Sequence, residues 1–166
     1  EEWFNENAAT VTLPNKDVQA VYDMGQYAIR ASQNGESGAL CLGLLPHLWG
    51  GGLYCSYDAY FTLNALLSSG HLREVEVYKN FLYAQGDVGK QALASIGLDG
   101  VAFTGWTNCK GEFCRSGIPL TEWFLKEKPM FACCEVHNLY QVWSRTGKQT
   151  DEKLINLLKG FVVFAK

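Results

Sequence analysis

The chain has 166 residues, of which 48% are apolar, 13% aromatic and 19% charged, and 14 basic against 17 acidic side chains give a formal charge of −3. So much apolar side chain excludes a disordered chain. The absence of any apolar run near ~20 residues excludes a helical membrane span, and the absence of a basic block argues against nucleic acid as a partner.

In chain order, residues 1–14 read as an extended lead-in, with Thr10-Val11-Thr12-Leu13 strand-like and Pro14 as punctuation. Glu1-Glu2-Trp3-Phe4 lacks the basic-then-apolar order of a signal peptide, although one already removed would leave no trace. Asn15 is placed to cap a first helix that ends near Asn34-Gly35, with Val18, Val21, Tyr22, Gly25, Ala28 and Ile29 as its apolar stripe. Residues 35–57 form a Gly-rich loop that includes Gly50-Gly51-Gly52. Asp58 then reads as the N-cap of a helix through Phe61, Leu63, Leu66 and Leu67 to Gly70. A third helix carries Leu72, Val75, Tyr78, Phe81 and Leu82, and Asp87 reads as the cap of a short fourth that closes at Gly97. Residues 98–131 show no sustained period, and a connection of that length is often functional. A fifth helix spans about Cys133 to Arg145, and Thr150 caps a sixth with Leu154, Leu157, Leu158, Phe161 and Phe164, so the last two form an αα-hairpin.

The six cysteines, Cys41, Cys55, Cys109, Cys114, Cys133 and Cys134, allow 15 pairings. A chain this long can build a core without bridges. A bridge from Cys109 to Cys114 or to Cys133/Cys134 and free buried thiols are both open readings. A zinc site from these cysteines with His137 fits the usual spacings less well. The compartment stays open, leaning extracytoplasmic.

Two segments carry a resemblance. The run Leu45-Pro46-His47-Leu48-Trp49-Gly50-Gly51-Gly52-Leu53-Tyr54-Cys55-Ser56-Tyr57-Asp58-Ala59-Tyr60-Phe61 resembles the loop-then-helix signature of six-hairpin glycosidases. Glu135-Val136-His137-Asn138, then Val142-Trp143 and Thr146-Gly147, resembles the later helix and turn of the same superfamily, as in the family 65 hydrolases and phosphorylases. Between them Gly100-Val101-Ala102-Phe103-Thr104-Gly105-Trp106 resembles a Gly-Ala-x-Phe-Pro-Trp segment, and Gly111-Glu112-Phe113-Cys114 a Gly-x-Glu-x-Cys piece. Two departures stand out: Gly105 replaces the proline, and Arg115-Ser116 stands where that pattern has an acidic residue.

The resemblance implies an all-α fold of αα-hairpins forming part of an (α/α)6 toroid. It implies acid-assisted, inverting cleavage of an α-linked glycoside or oligosaccharide, with no metal or organic cofactor. Such hydrolysis needs two carboxyl groups, and the acid must stay protonated near neutral pH. Glu112 and Glu135 are the candidate catalytic carboxyls, with Glu122 behind them. Each also reads plainly, Glu112 as a solvated loop carboxylate and Glu135 as a residue favoured at a helix start. Asp58, by resemblance, grips the sugar rather than donating the proton. Trp49, Tyr54, Tyr57 and Trp106 are ring-stacking candidates whose plain reading is core, and His137 is a substrate-orienting candidate whose plain reading is a satisfied side chain. The rival to an enzyme is a carbohydrate-binding or structural module that keeps the fold without the chemistry.

Length sharpens the expectation. Twelve helices of ~11–12 residues with connections of ~4–6 need roughly 180–210 residues. Residues 1–166 are therefore expected to be a single partial toroid domain, without the distal carboxylate and inactive alone. A missing half-domain or a second copy would cover an exposed apolar face.

Overall fold

The computed structural model describes residues 10–41, 54–108, 110–112, 119, 122–123, 126, 129–146 and 150–166. The fold class is all-α. Its helices are α1 (Lys16–Ala31), α2 (Ser56–Ser68), α3 (Leu72–Ala94), α4 (Pro129–Arg145) and α5 (Glu152–Phe164). Two short strands, β1 (Tyr54–Cys55) and β2 (Trp106–Thr107), pair antiparallel, with Tyr54 opposite Thr107 and Cys55 opposite Trp106. The strand-like lead-in at Thr10–Leu13 carries no strand. Trp49, the Gly50-Gly51-Gly52 run, Cys109, Cys114, Arg115-Ser116 and Gly147 lie outside the described residues.

The helix starts correct several expectations. Asn15 does cap α1, its Oδ1 accepting from the backbone N–H of Asp17 (2.8 Å) and Val18 (3.1 Å). The second helix begins at Ser56, because β1 runs straight into it, so Asp58 sits in its first turn and is not the cap. Asp87 caps nothing, because α3 continues through it for 23 residues. Packing explains why Gly86 and Gly89 do not break that helix. A Cβ on Gly89 would lie 1.8 Å from the Ala102 carbonyl oxygen, and one on Gly86 would lie 2.6 Å from Leu157 Cδ2. These glycines let the chain approach α3, which offsets their helix cost of about 1 kcal/mol each. The helix expected from Cys133 starts four residues earlier at Pro129, a first-turn position that proline tolerates. Asp151, not Thr150, caps α5. Five helices thus stand among the described residues where six were expected.

The core forms where α2 packs along α3 and α4 and α5 closes against α3 and α4. Leu63, Leu66, Val75, Tyr78, Leu82, Leu139, Val142 and Leu154 are buried there. The aperiodic stretch is itself a buried strap at 101–105. It is tied down by Val101 N–H to the Gly160 carbonyl (3.0 Å), Ser56 N–H to the Gly105 carbonyl (2.9 Å) and Trp123 Nε1–H to the Thr104 carbonyl (2.7 Å). It shows no period because each residue meets a different neighbour.

The stripe of α1 is a further correction. Val18, Val21 and Gly25 face outward beside Met24 and Tyr27, while Gln26 is the residue that α1 buries. Ile29 of that stripe packs against the core.

Candidate functional site

Glu135 lies on the inward face of α4, fully buried. Inward positions recur as Glu135, Asn138, Leu139 and Val142, a helical i, i+3, i+4, i+7 set. β1 delivers Tyr54 to the same place and α3 delivers Tyr78. Tyr54 Oη–H donates to Glu135 Oε2 at 2.7 Å. The hydroxyls of Tyr54 and Tyr78 lie 2.8 Å apart. Asn138 Nδ2 donates to Tyr78 Oη (3.1 Å) and to the Ser56 carbonyl (3.0 Å). Phe81 covers the cluster, its ring centroid 4.7 Å from that of Tyr54.

Among the described residues no cation appears in this cluster. Burial therefore dominates, and it pushes the Glu135 carboxyl up to about 8 although the bond from Tyr54 pulls the other way. Burial likewise holds the Tyr54 and Tyr78 phenols well above their ordinary range. Glu135 Oε1 and Asn138 Oδ1 are buried without a hydrogen-bond partner among the described residues.

The outer side of the α2–α4 pair is different. Tyr57, Tyr60, Met130, Cys133, Cys134 and His137 line an open groove of about 300 Å³. The Tyr60 and His137 rings sit 5.1 Å apart. One residue, Val136, separates Glu135 from His137, yet helix geometry sends one to the core and the other to solvent.

The remaining expected residues fall elsewhere. Glu112 is exposed on the turn after β2, where its carboxylate accepts from Asn108 Nδ2 (2.8 Å) and its N–H donates to Asn108 Oδ1 (2.9 Å). Glu122 is exposed, 4.0 Å from Lys126. Asp58 is half-buried beside the Cys55 thiol, which burial pushes up to about 11. Trp106 is half-buried, 5.8 Å from the Phe131 ring, which stacks in turn on buried Trp123. Tyr54 is wholly buried and offers no face to a ligand, which corrects its expected stacking role. Cys55, Cys133 and Cys134 are free thiols, so the bridge to Cys133 or Cys134 does not form. Among the described residues no three His, Cys, Asp or Glu side chains converge to hold a metal ion, and no helix is long and apolar enough to cross a membrane.

The structure thus brings Tyr57 and His137 to one groove and sets Glu135 behind it, while Glu112 stands apart on its own turn. Sequence reasoning missed Tyr78 and Asn138. The available signal was the polar pair Glu135 and Asn138 inside an otherwise apolar inward stripe. No family model, no curated protein and no solved structure matches this chain.

Proposed function

We propose that the chain belongs to an (α/α)6 toroid-type glycosidase and takes part in acid-assisted, inverting cleavage of an α-linked glycoside, with Glu135 as the proton donor. The observation that carries this reading is Glu135 itself: a buried carboxyl, pushed up to about 8, hydrogen-bonded by Tyr54 and facing no cation among the described residues. A carboxyl that keeps its proton at neutral pH is what protonation of a leaving oxygen requires. Support also comes from position. Glu135 opens the second resembling stretch, and α4 packs on α2, which carries the end of the first.

In this reading Asp58 grips the sugar, and Tyr57, His137, Trp49 and Trp106 contact its rings and hydroxyls. Glu112 is the second carboxyl candidate, and no cofactor is involved. The exposed stripe Val18, Val21, Met24 and Tyr27 of α1 is where a further half-domain or a second copy packs.

One observation favours a second reading. Glu135 has no solvent exposure, and Glu112 does not share its enclosure. A carbohydrate-binding or structural module would need nothing more open.

Turnover of α-linked disaccharides and aryl glycosides by the natural polypeptide carrying this chain separates the two. Glu135→Gln should cut turnover by at least about 10²-fold, with Glu112→Gln well below that. Unchanged turnover in Glu135→Gln removes Glu135 as the acid. Calorimetric sugar binding without turnover in the unaltered protein establishes the module instead.

A further inference from the structure

The hydrogen bonds around Glu135 have a direction that can be read from donor inventory. The Ser56 carbonyl can only accept, so the Asn138 amide terminus 3.0 Å from it is the nitrogen. The other N–H of that nitrogen goes to Tyr78 Oη at 3.1 Å. The Tyr78 hydroxyl, with an amide donating into it, sends its own proton to Tyr54 Oη at 2.8 Å. Tyr54 has one proton left to give, and it reaches Glu135 Oε2 at 2.7 Å. The reverse order would leave the Tyr78 O–H with no acceptor among these groups. The chain therefore runs one way, Asn138 to Tyr78 to Tyr54 to Glu135, and is anchored on the backbone of α2.

That direction decides where the proton of Glu135 sits. Oε2 already accepts, and Oε1 is the oxygen with no partner. We propose that Asn138, Tyr78 and Tyr54 are positioning residues that hold the transferable proton of Glu135 on Oε1. Their catalytic relevance rests on the acid role given to Glu135 above, but their effect on its titration does not. Bonds of this kind polarise one another, so a break two links away still reaches the carboxyl. Donation into Oε2 favours the charged form, so every break should raise the Glu135 midpoint.

The experiment is carbon-detected NMR titration of the chain labelled with carboxyl-¹³C glutamate, with Glu135→Gln assigning the resonance. Tyr54→Phe and Tyr78→Phe keep the rings that pack the core, and thermal unfolding checks that they fold. Tyr54→Phe should raise the Glu135 midpoint most, and Tyr78→Phe should raise it in the same direction by less. An unchanged or lowered midpoint in Tyr78→Phe overturns the chain. In the natural polypeptide Tyr78→Phe should lower kcat, by up to about 10²-fold, with KM unchanged, and move the alkaline limb of the kcat profile upward. A raised midpoint with unmoved kinetics leaves the hydrogen-bond chain standing and removes the catalytic role.

Discussion

Two buried polar clusters in this molecule solve the same problem in opposite ways. Under α1, the Glu74 carboxylate is buried but faces Arg30, with Nε 3.3 Å from Oε1. Around it, Gln33 Nε2 donates to the Glu74 carbonyl (2.9 Å), and His71 Nε2 donates to Gln26 Oε1 (2.7 Å). Under α4, Glu135 is buried with hydroxyls and an amide but, among the described residues, no cation. A carboxyl out of water either meets a counter-charge or keeps its proton. The first cluster takes the counter-charge and clamps a helix. The second keeps the proton, which costs stability at neutral pH.

The largest expected effect tests the proton. The ordinary carboxyl value is 4.5 and the folded one about 8, so the folded state binds the extra proton between those limits. The stability from this group is complete below 4.5, declines as pH rises and is fully lost above about 8. Glu135→Gln mimics the protonated acid. It should stabilise the chain by roughly 3–5 kcal/mol at pH 9 and hardly at all at pH 4. Equal denaturant midpoint shifts at both pH values would erase the contrast between the clusters.

Next comes the counter-charge. Arg30→Met strands Glu74, and breaking a buried pair costs about 3–5 kcal/mol. Arg30 is a third exposed, so roughly 1–3 kcal/mol is expected from urea unfolding.

The clamp should also answer to acid where the core cluster answers to base. Burial lowers the His71 imidazole below its ordinary 6.5, so the folded state binds fewer protons than the unfolded one. Clamp stability is then present at neutral pH and declines as pH falls through that range. Amide exchange in α1, corrected for intrinsic rate, should gain on α4 between pH 7 and pH 5. Replacing His71 with Gln should shrink that difference to the part that comes from Glu135, at a cost of about 1 kcal/mol.

The smallest effect concerns the outer stripe of α1. Val21→Ser should stay within about 0.5 kcal/mol for the isolated chain. A larger loss, together with a change in sedimentation, would mean that a second copy covers this face.

The sequence carried the helical periods, the N-cap at Asn15, the closing hairpin and the all-α class, because these depend on neighbours within one turn. It misplaced the starts of α2 and α4 and broke α3 at Asp87, because β1 and the strap at 101–105 act from far along the chain. It singled out Glu135, Tyr57 and His137, but Tyr78 was invisible as a site residue. A tyrosine in an apolar stripe looks like core until a partner is set against its hydroxyl.

What the residues determined alone was which side chains share a helix face. The inside-out docking of α1 came from tertiary packing. Its polar side meets Ser69, His71 and Glu74, and buried polar groups must find partners, while an apolar stripe can remain in water at modest cost. The proton on Glu135 was decided the same way. Nothing in Glu135-Val136-His137-Asn138 says whether a cation will be near, and it was the packing of α4 against β1 and α3 that set hydroxyls and an amide there among the described residues.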